Sequence, residues 1–372
     1  MSIYFDNAAT TALAPELIQL MSELNTSLYA NPSSMHSQGL KSHKALELAR
    51  TQIASFINAE PEEIIFTSNA TEANNSVFKS LNYDLIISSP TEHVSVIEPA
   101  KATGKPIIWL NVDREGFINL EELKAHLLDN SDKTILLSIM HGNNEIGTLQ
   151  DIAAIGKLKA QFSNVIFHSD CVQTFAKHTI DVKACNLDLV TVSAHKIHAP
   201  KGVGFLYFNS RLKDQLAARP LIKGSSQEFK LRGGTENLIG ILLFAKALEL
   251  KANDKVQELH QYFIDKLEAH PGLVLNGPAD LTKRVLGNIN LSLVNSKFQR
   301  EEILLQLDLR GIAVATGSAC TSVNDTSIIQ ISYVLRACRI PDEIGSKAIR
   351  VSLSQYNTKA EIDYFFTKAM EI

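Results

Sequence analysis

The sequence predicts an α/β protein in which a mostly parallel seven-stranded sheet has helices on both faces and is joined to a smaller α+β domain. Two observations support this fold class. Short β-branched runs alternate with helical patterns over about the first two hundred residues, and such alternation is typical of parallel sheets. From about Leu238 the pattern changes to long helical stretches with few strands, which predicts a second and smaller unit.

Seven runs are predicted to be buried strands. Each is almost continuously apolar, as are strands in a sheet that is covered on both faces. The runs are EEIIFTS, DLIISS, KPIIWLN, KTILLSIM, NVIFHSD, LDLVTVS and GVGFLYF, at residues 62–68, 84–89, 105–111, 133–140, 164–170, 187–193 and 202–208.

Helices are predicted between and after these runs. The segment HKALELARTQIASFI repeats apolar residues at helical spacing, and DIAAIGKLKAQF begins with Asp151, a residue suited to an N-cap. In the second unit we predict helices in LIGILLFAKALEL and REEILLQLDLRG and strands in LGNINLSLV and AIRVSLS. We therefore expect a large domain over residues 14–240 and a small domain formed by residues 1–13 and 241–372.

Composition and charge exclude several classes of protein. The chain has 372 residues, 45% of them hydrophobic, and a net charge of −4, so it can bury a large core and has no basic block for nucleic acid. No apolar run reaches the roughly 18 residues of a membrane span. The N-terminal residues do not resemble a signal peptide, and the four cysteines form no CxxC pair. We expect a cytoplasmic protein without a metal site or disulfide.

Three polar segments follow predicted strands. SNATEANN places small residues, including Ala70 and Thr71, before a predicted helix, whose N-terminus can bind an anion. HSDCVQ places Asp170 at the end of a strand, and SAHKIHAPKG places Lys196 after the next strand. Each has an ordinary interpretation by itself, as a helix cap, a turn carboxylate or a solvated lysine, and Lys201 is locally as suitable as Lys196.

The combination of these segments is more specific than any one of them. An anion site, a carboxylate at a strand end and a nearby lysine are what pyridoxal phosphate requires. The anion site binds the phosphate, the carboxylate pairs with the pyridine nitrogen, and the lysine binds the aldehyde.

Cys320 is the most unusual thiol. It lies in ATGSACTS, among small and polar residues, whereas a structural cysteine is usually buried among apolar ones. An accessible thiol of this kind is suited to nucleophilic chemistry.

The chain as a whole resembles the cysteine desulfurases, in the fold-type I, class V aminotransferase-like group of pyridoxal-phosphate enzymes. The resemblance runs from end to end. It is carried by YFDNAATT, NPSSMH, ATE, TEH, SIMHGNNEIG, SDCVQ, SAHKIHAPKG, RGGTEN, GSACTS, SYVLRA and IRVSLS.

The resemblance implies roles for residues around the cofactor. Lys196 corresponds to the Schiff-base lysine, Asp170 to the partner of the ring nitrogen, and His93 to the imidazole stacked on the ring. The remaining cofactor contacts would be the phosphate-binding set and two residues beside the ring, namely Ala70, Thr71, Ser193 and His195, with Gln173 and Asn144.

The resemblance also implies substrate contacts and a second subunit. Asn31 and Arg350 would hold the carboxylate of L-cysteine, and Thr235 would reach the phosphate of the neighbouring subunit in a homodimer. Cys320 would take the substrate sulfur as a persulfide. As a hypothesis, His93 would accept the proton of the Cys320 thiol.

The function implied is desulfuration of L-cysteine to L-alanine, with sulfur passed to an acceptor protein, either an iron–sulfur scaffold or a tRNA-thiolation enzyme. A related lyase or aminotransferase, for example one preferring selenocysteine, and a catalytically silent scaffold are the alternatives. Two departures from the family pattern concern the site: Cys171 adds a thiol beside Asp170, expected to be packing, and the segment after Cys320 is longer than usual.

Overall fold

A computed structural model describes residues 2–317 and 331–372. Its strands, in chain order, are β1 (Ile3–Tyr4), β2 (Ile64–Thr67), β3 (Leu85–Ser88), β4 (Ile107–Trp109), β5 (Ile135–Ser138), β6 (Val165–Asp170), β7 (Leu189–Ser193), β8 (Gly204–Phe208), β9 (Leu273–Asn276), β10 (Asn288–Leu293), β11 (Ile312–Ala313) and β12 (Ala348–Ser352).

The α-helices of the described residues begin and end as follows. They are α1 (Pro15–Ser27), α2 (Ser37–Phe56), α3 (Ala70–Ser80), α4 (Val94–Ala102), α5 (Leu120–Asp129), α6 (Ile152–Lys159), α7 (Lys213–Ala218), α8 (Leu238–Ala247), α9 (Asn253–Glu268), α10 (Arg300–Asp308), α11 (Tyr333–Ala337), α12 (Asp342–Gly345) and α13 (Lys359–Ala369). None of the described helices is both long enough and apolar enough to cross a bilayer.

The large sheet has seven strands in the order β2-β8-β7-β6-β5-β3-β4. All neighbouring pairs are parallel except those of β8, which runs antiparallel to both β2 and β7. Each of the seven predicted runs contains one of these strands, so the predicted mostly parallel sheet is confirmed.

Side chains alternate between the two faces of this sheet. Leu85 and Ile87 of β3 belong to one buried core, and Ile86 between them belongs to another. The first core also contains apolar residues of α2, α5, α6 and α8, and the second contains those of α3, α4 and α7. The helices therefore cover both faces, as the sequence predicts.

A third core lies among the later elements and the first strand. Ile3 and Phe5 pack there with residues such as Phe263, Leu291 and Phe365. Beside it, β9, β10 and β12 form an antiparallel sheet, and β1 pairs in parallel with β11. The strands predicted in LGNINLSLV and AIRVSLS are β10 and β12, whereas β1 and β11 were not predicted.

Polar caps fix the chain where strands lead into helices. Asn69, His93 and Asp151 each accept a backbone N–H of the following helix with their side chains, which satisfies a donor that the helix itself leaves free. The segments that follow β2, β3, β5, β6 and β7 leave the sheet at the same edge, because those strands run in the same direction. The predicted polar residues are thus brought together.

Candidate active site

A cavity of about 300 Å³ lies at the carboxyl edge of the large sheet. Residues from the ends of five parallel strands meet residues of the N-terminal segment and of β12 there. The lining residues are Ala8, Ala9, Asn69, Ala70, Thr71, His93, Ser95, Met140, Asn144, Asp170, Val172, Gln173, Ser193, His195, Lys196, Gly317 and Arg350.

Lys196 lies in a short 3-10 turn (Ala194–Lys196) directly after β7. Its Nζ donates hydrogen bonds to the carbonyls of Ala8 and Ala9, each at 2.6 Å. Burial, and then the charges of Arg350 and Lys177, lower the pKa of Lys196 to about 7. An amine with such a pKa is available as a nucleophile or base near neutral pH. Lys201 is exposed and outside the lining, which separates the two lysines that local sequence left equivalent.

Asp170 ends β6 and is 4% exposed. Its Oδ1 accepts the backbone N–H of Val172 at 3.0 Å, and its Oδ2 accepts Asn74 Nδ2 at 2.9 Å. Both carboxylate oxygens are thereby oriented by donors. Cys171, next to it, is fully buried, and burial raises the pKa of its thiol. It is therefore a packing residue.

His93 is the N-cap of α4 and lines the cavity. Its Nδ1 lies 2.7 Å from Ser95 Oγ and accepts the backbone N–H of Ser95 at 3.1 Å. Burial is the main cause that lowers the pKa of His93; Lys196 lowers it further and Asp170 opposes this. The imidazole is therefore favoured in its neutral form.

The start of α3 faces the same cavity. The amide of Ala70 donates to Ser193 Oγ at 2.8 Å, which ties the helix start to the end of β7. His195 Nδ1 lies 3.0 Å from Thr10 Oγ1, and burial, then Lys196 and Lys201, lower the pKa of His195 to about 4. With Thr71 in the first turn, these groups offer hydrogen-bond donors to an anion at a helix N-terminus.

Three buried polar atoms of the lining have no hydrogen-bond partner among the described residues. They are Asn144 Oδ1, Gln173 Oε1 and Arg350 Nε. The other end of the Gln173 amide donates to the carbonyl of Ala8 at 3.0 Å. Buried polar groups in proteins are almost always paired, so these atoms indicate contacts that a bound molecule would make.

Arg350 extends from β12 into this cavity and is 2% exposed. Its Nη1 donates to the carbonyl of Asn144 at 2.9 Å, and its Nη2 forms an ion pair with Asp6 at 2.7 Å. The guanidinium is thus held at both terminal nitrogens, and its Nε is left for another acceptor.

Two of the predicted site residues lie elsewhere, and the position of a third is not described. Asn31 is exposed, and its Oδ1 accepts the backbone N–H of Ser33. Thr235 is also exposed and lines a second cavity, together with Arg232 and Glu236. Cys320 lies outside the residues that the structure describes.

Sequence reasoning missed the contributions of Ala8, Ala9 and Asp6, and also those of Asn74 and Ser95. The first three lie in YFDNAATT, which was noted only as part of the resemblance. Asn74 and Ser95 are buried polar residues on α3 and α4; α3 was predicted only as the helix after SNATEANN, and α4 was not predicted. A buried polar position on an apolar helix face was the available signal.

Glu145 contacts the chain on both sides of the segment that carries Cys320. Its Oε2 accepts the hydroxyl of Ser332 at 2.7 Å. Gly317 packs so closely on the same carboxyl that a Cβ there would lie 2.4 Å from Glu145 Cδ. Burial raises the pKa of Glu145 to about 7, against the opposing effects of Ser332 and Arg350.

Comparisons with known proteins show the family and the fold to which this chain is similar. Residues 3–365 match the Aminotransferase class-V family. The cysteine desulfurase IscS of Dictyoglomus turgidum is 41% identical over 97% of this chain and 92% of its own length. The crystal structure of a NifS-like protein from Rickettsia africae superposes with a TM-score of 0.87 at 31% identity and covers 100% of both chains. The structure of SspA in complex with cysteine superposes with a TM-score of 0.81 at 29% identity, covering 96% of this chain and 100% of the other.

Proposed function

This chain belongs to the Aminotransferase class-V family and is a pyridoxal-phosphate-dependent cysteine desulfurase, and we propose that it desulfurates L-cysteine in the cavity beside Lys196 and passes the sulfur to Cys320. The observation that carries this assignment of the site is the meeting of Lys196, Asp170 and Arg350 on a single cavity. An amine, a carboxylate and a guanidinium suit an aldehyde cofactor, its ring nitrogen and an amino-acid carboxylate respectively.

The residues of the cavity fit the cofactor. Its phosphate would lie at the start of α3, near Thr71, Ser193 and His195, where donors converge. Asp170 would hold the ring nitrogen, because its carboxylate is already oriented by two donors. The free end of the Gln173 amide is its carbonyl oxygen, which would accept a hydrogen bond from the phenolic O–H. His93 and Val172, which both line the cavity, would cover the two ring faces.

Pyridoxal phosphate, when bound, supplies an aldehyde for amines and a ring that accepts electrons from the substrate α-carbon. Lys196 binds the aldehyde and moves the proton at the α-carbon of the substrate. Both tasks need an unprotonated amine, which the lowered pKa of Lys196 provides near neutral pH. Asp170 keeps the positive charge on the ring nitrogen that makes the ring an acceptor.

Arg350 binds the carboxylate of L-cysteine. A guanidinium recognises a carboxylate by charge and by directed N–H donors, and Arg350 has an unpaired Nε in this cavity. Asn31, which resembles the second carboxylate-binding residue, is exposed on this subunit. We therefore propose that Asn31 acts on the cavity only when the dimer or the bound substrate brings it there.

Cys320 takes the sulfur. Its thiolate attacks the sulfur of the substrate, so an S–S bond forms and the bond between that sulfur and the β-carbon breaks. The electron pair stays with the carbon, which takes up a proton and becomes the methyl group of L-alanine. The products are L-alanine and a persulfide on Cys320, and no external oxidant or reductant is consumed.

Thr235 acts in the neighbouring subunit of a homodimer. It is exposed and lines a different cavity from the one that Lys196 of the same subunit lines. Such a position is expected for a residue that contributes to the site of another subunit. Exposed apolar side chains on α1, α2 and the loop between them, at Ile18, Tyr29, Met35, Leu40 and Leu48, would be covered in such a dimer.

We also keep the division into a large domain of residues 14–240 and a small domain of residues 1–13 and 241–372. The packing of Ile3 and Phe5 with later residues supports it. Helix α8, which crosses the boundary, packs on the first core.

We propose a reducing, cytoplasmic location, which the unpaired thiols of Cys171, Cys185 and Cys338 support. We also propose an iron–sulfur scaffold or a tRNA-thiolation enzyme as the sulfur acceptor.

The proposal is tested by incubating the purified protein with L-cysteine and a thiol reductant, and measuring L-alanine and sulfide. We expect both Lys196→Ala and Cys320→Ala to lose sulfide release, and only Lys196→Ala to lose the visible absorbance of the lysine-bound cofactor. Lys201→Ala is the matched control and should keep both. Full activity of Cys320→Ala would contradict the persulfide step.

The same assay separates the alternatives. Production of glutamate from 2-oxoglutarate without sulfide would indicate an aminotransferase. Preference for selenocysteine would indicate the related lyase. A protein that binds no cofactor and turns over no cysteine would be a silent scaffold.

Subunit complementation tests the role of Thr235. A heterodimer of a Lys196→Ala subunit and a Thr235→Val subunit contains one site with both Lys196 and the partner's Thr235 intact. Recovery of activity on mixing two impaired variants would support a site shared between subunits. Mixed dimers that stay inactive would contradict it.

A further inference from the structure

A continuous chain of hydrogen bonds joins Asp170 to His93. Asn74 Nδ2 donates to Asp170 Oδ2 and to Ser95 Oγ, both at 2.9 Å, and Ser95 Oγ lies 2.7 Å from His93 Nδ1. The two connecting side chains are buried, Asn74 at 0% and Ser95 at 8% exposure. Asp170 and His93 are thus linked through the side chains of Asn74 and Ser95, to which no role has been assigned.

The orientation of the Asn74 amide is determined by its neighbours. A carboxylate only accepts hydrogen bonds, so the NH₂ end of Asn74 faces Asp170. The hydroxyl of Thr191 donates to the opposite end, Asn74 Oδ1, at 2.8 Å. The second N–H of Asn74 is directed at Ser95 Oγ, which therefore accepts one bond and keeps its own proton to donate.

The protonation of His93 Nδ1 follows from the same count. The backbone N–H of Ser95 points at Nδ1 from 3.1 Å, and an N–H donor needs a lone pair on its acceptor. Nδ1 therefore carries no proton, and the Ser95 hydroxyl donates to it as well. In neutral imidazole the single proton must then be on Nε2, the ring nitrogen without a hydrogen-bond partner in residues 2–317 and 331–372.

We propose that Ser95 is a positioning residue that holds His93 in the Nε2–H tautomer, with Asn74 relaying the orientation of Asp170 to Ser95. His93 then presents a hydrogen-bond donor to the cavity. Taking up a proton at Nδ1 would require the loss of two hydrogen bonds donated by Ser95. This ring therefore offers no free lone pair that could accept the thiol proton of Cys320. This inference concerns the site of the proposed function and rests on it.

The charged groups that act on His93 are Asp170, which favours its protonated form, and Lys196, which opposes it. Both are retained when Ser95 is replaced. A change in the tautomer or the pKa of His93 in a Ser95 variant is therefore caused by the altered hydroxyl group and not by the surrounding charges. Ser95→Ala removes the O–H donor and the acceptor of Asn74, whereas Ser95→Thr keeps both in a side chain one methyl larger.

The test uses the purified full-length protein with cofactor bound and ¹⁵N-labelled histidine, without substrate. Two-bond nitrogen–proton correlation spectra distinguish the tautomers, and the His93→Gln spectrum assigns the His93 signals. We expect the Nε2–H tautomer in the wild type and in Ser95→Thr. In Ser95→Ala we expect the pKa of His93 to rise and part of the signal to move to the Nδ1-protonated forms.

Two results would overturn the proposal. One is an Nδ1–H tautomer in the wild type, a measurement that does not depend on whether Ser95→Ala folds. The other is a Ser95→Ala spectrum identical to that of the wild type. Sulfide release should fall about tenfold in Ser95→Ala, as expected when the hydrogen bond from the Ser95 hydroxyl to His93 is lost, and be restored in Ser95→Thr. Because the tautomer is read without turnover, failure of desulfurase activity would be detected separately.

Discussion

Arg350 and Asp6 form an ion pair at 2.7 Å although they are 344 positions apart in sequence. The arginine is buried and the carboxylate is 22% exposed. With Asn144 holding the other terminal nitrogen, the plane of the guanidinium is fixed before any substrate arrives. A ligand carboxylate would therefore meet a guanidinium that needs little reorganisation.

Replacing Arg350 with lysine tests this arrangement. A lysine keeps the charge and loses the planar set of donors, so we expect KM for L-cysteine to rise about tenfold with a smaller change in kcat. Arg336→Lys, at an exposed arginine of α11, is the control and should leave KM unchanged. An unaltered KM in Arg350→Lys would show that this guanidinium does not bind the substrate.

Cofactor attachment should depend on pH through Lys196. Because the pKa of its amine is lowered to about 7, the reactive unprotonated form is lost as pH falls below that value. The rate at which pyridoxal phosphate binds covalently to the apoprotein should rise with pH and level off above about 7. Stopped-flow absorbance at a series of pH values measures this.

Lys177 offers a variant that shifts the same profile. Its charge is one of the causes that lower the pKa of Lys196, so Lys177→Gln should move the midpoint of cofactor attachment to higher pH. Lys201→Gln removes an exposed charge that is not among those causes. A midpoint that responds equally to both substitutions would contradict the explanation.

Gly317 should be intolerant of a side chain. It has φ of +96°, and a Cβ there would overlap the carboxyl of Glu145. Gly317→Ala should displace the chain three residues before Cys320 and reduce persulfide formation by about a hundredfold, as small misplacements of reacting groups do. The cofactor absorbance should be unchanged. Alkylation of the persulfide followed by mass spectrometry measures the product.

Gly104 provides the control for this substitution. Its φ of +70° is also positive, but nothing lies within 4 Å of the position of a Cβ. Gly104→Ala therefore shares the backbone strain without the overlap. If both variants formed persulfide at the same rate, contact with Glu145 would not be the cause of the defect.

Buried neutral histidines should make the fold sensitive to acid. His168 is fully buried on β6, which lies between β5 and β7, and burial lowers its pKa to about 3. In the unfolded chain its pKa is near 6.5. Between these values the unfolded state binds the proton and the folded state does not, so the free energy of unfolding falls as pH decreases, by up to about 1.4 kcal/mol per pH unit for this group.

Urea unfolding between pH 7 and pH 5 measures this slope. His168→Gln cannot take up the proton, so its stability should fall less steeply with decreasing pH than that of the wild type. His43, exposed on α2, is the control: His43→Gln should retain the wild-type slope. Equal slopes for wild type and His168→Gln would contradict the assignment.

The sequence was sufficient to predict the seven strands because each is a continuous apolar run. It could not predict that β8 runs antiparallel between β2 and β7, since strand direction leaves no mark on composition. β1 and β11 have two residues each, too few for any periodicity. Their pairing depends on residues more than three hundred positions apart.

The candidate site was predictable to the extent that its residues follow strands. Asp170 and Lys196 were found in this way, but Lys196 and Lys201 could be separated only by the fold. Ala8 and Ala9 contribute backbone carbonyls, which no side-chain pattern reveals. Ser95 and Asn74 contact other side chains, which are brought close by the packing of α3 against α4, β6 and β7.

The N-terminal segment connects the two ends of the chain at the cavity. Phe5 and Ala8 bond to Ser352, Asp6 pairs with Arg350, and Ala8 and Ala9 accept Lys196. During synthesis the first ten residues leave the ribosome long before their partners on β12 exist. The large sheet, β2 to β8, can form earlier, so the Arg350 side of the cavity is completed only after β12 has been made. A ribosome-bound chain arrested before Arg350 would therefore have the Lys196 side of the cavity without Arg350.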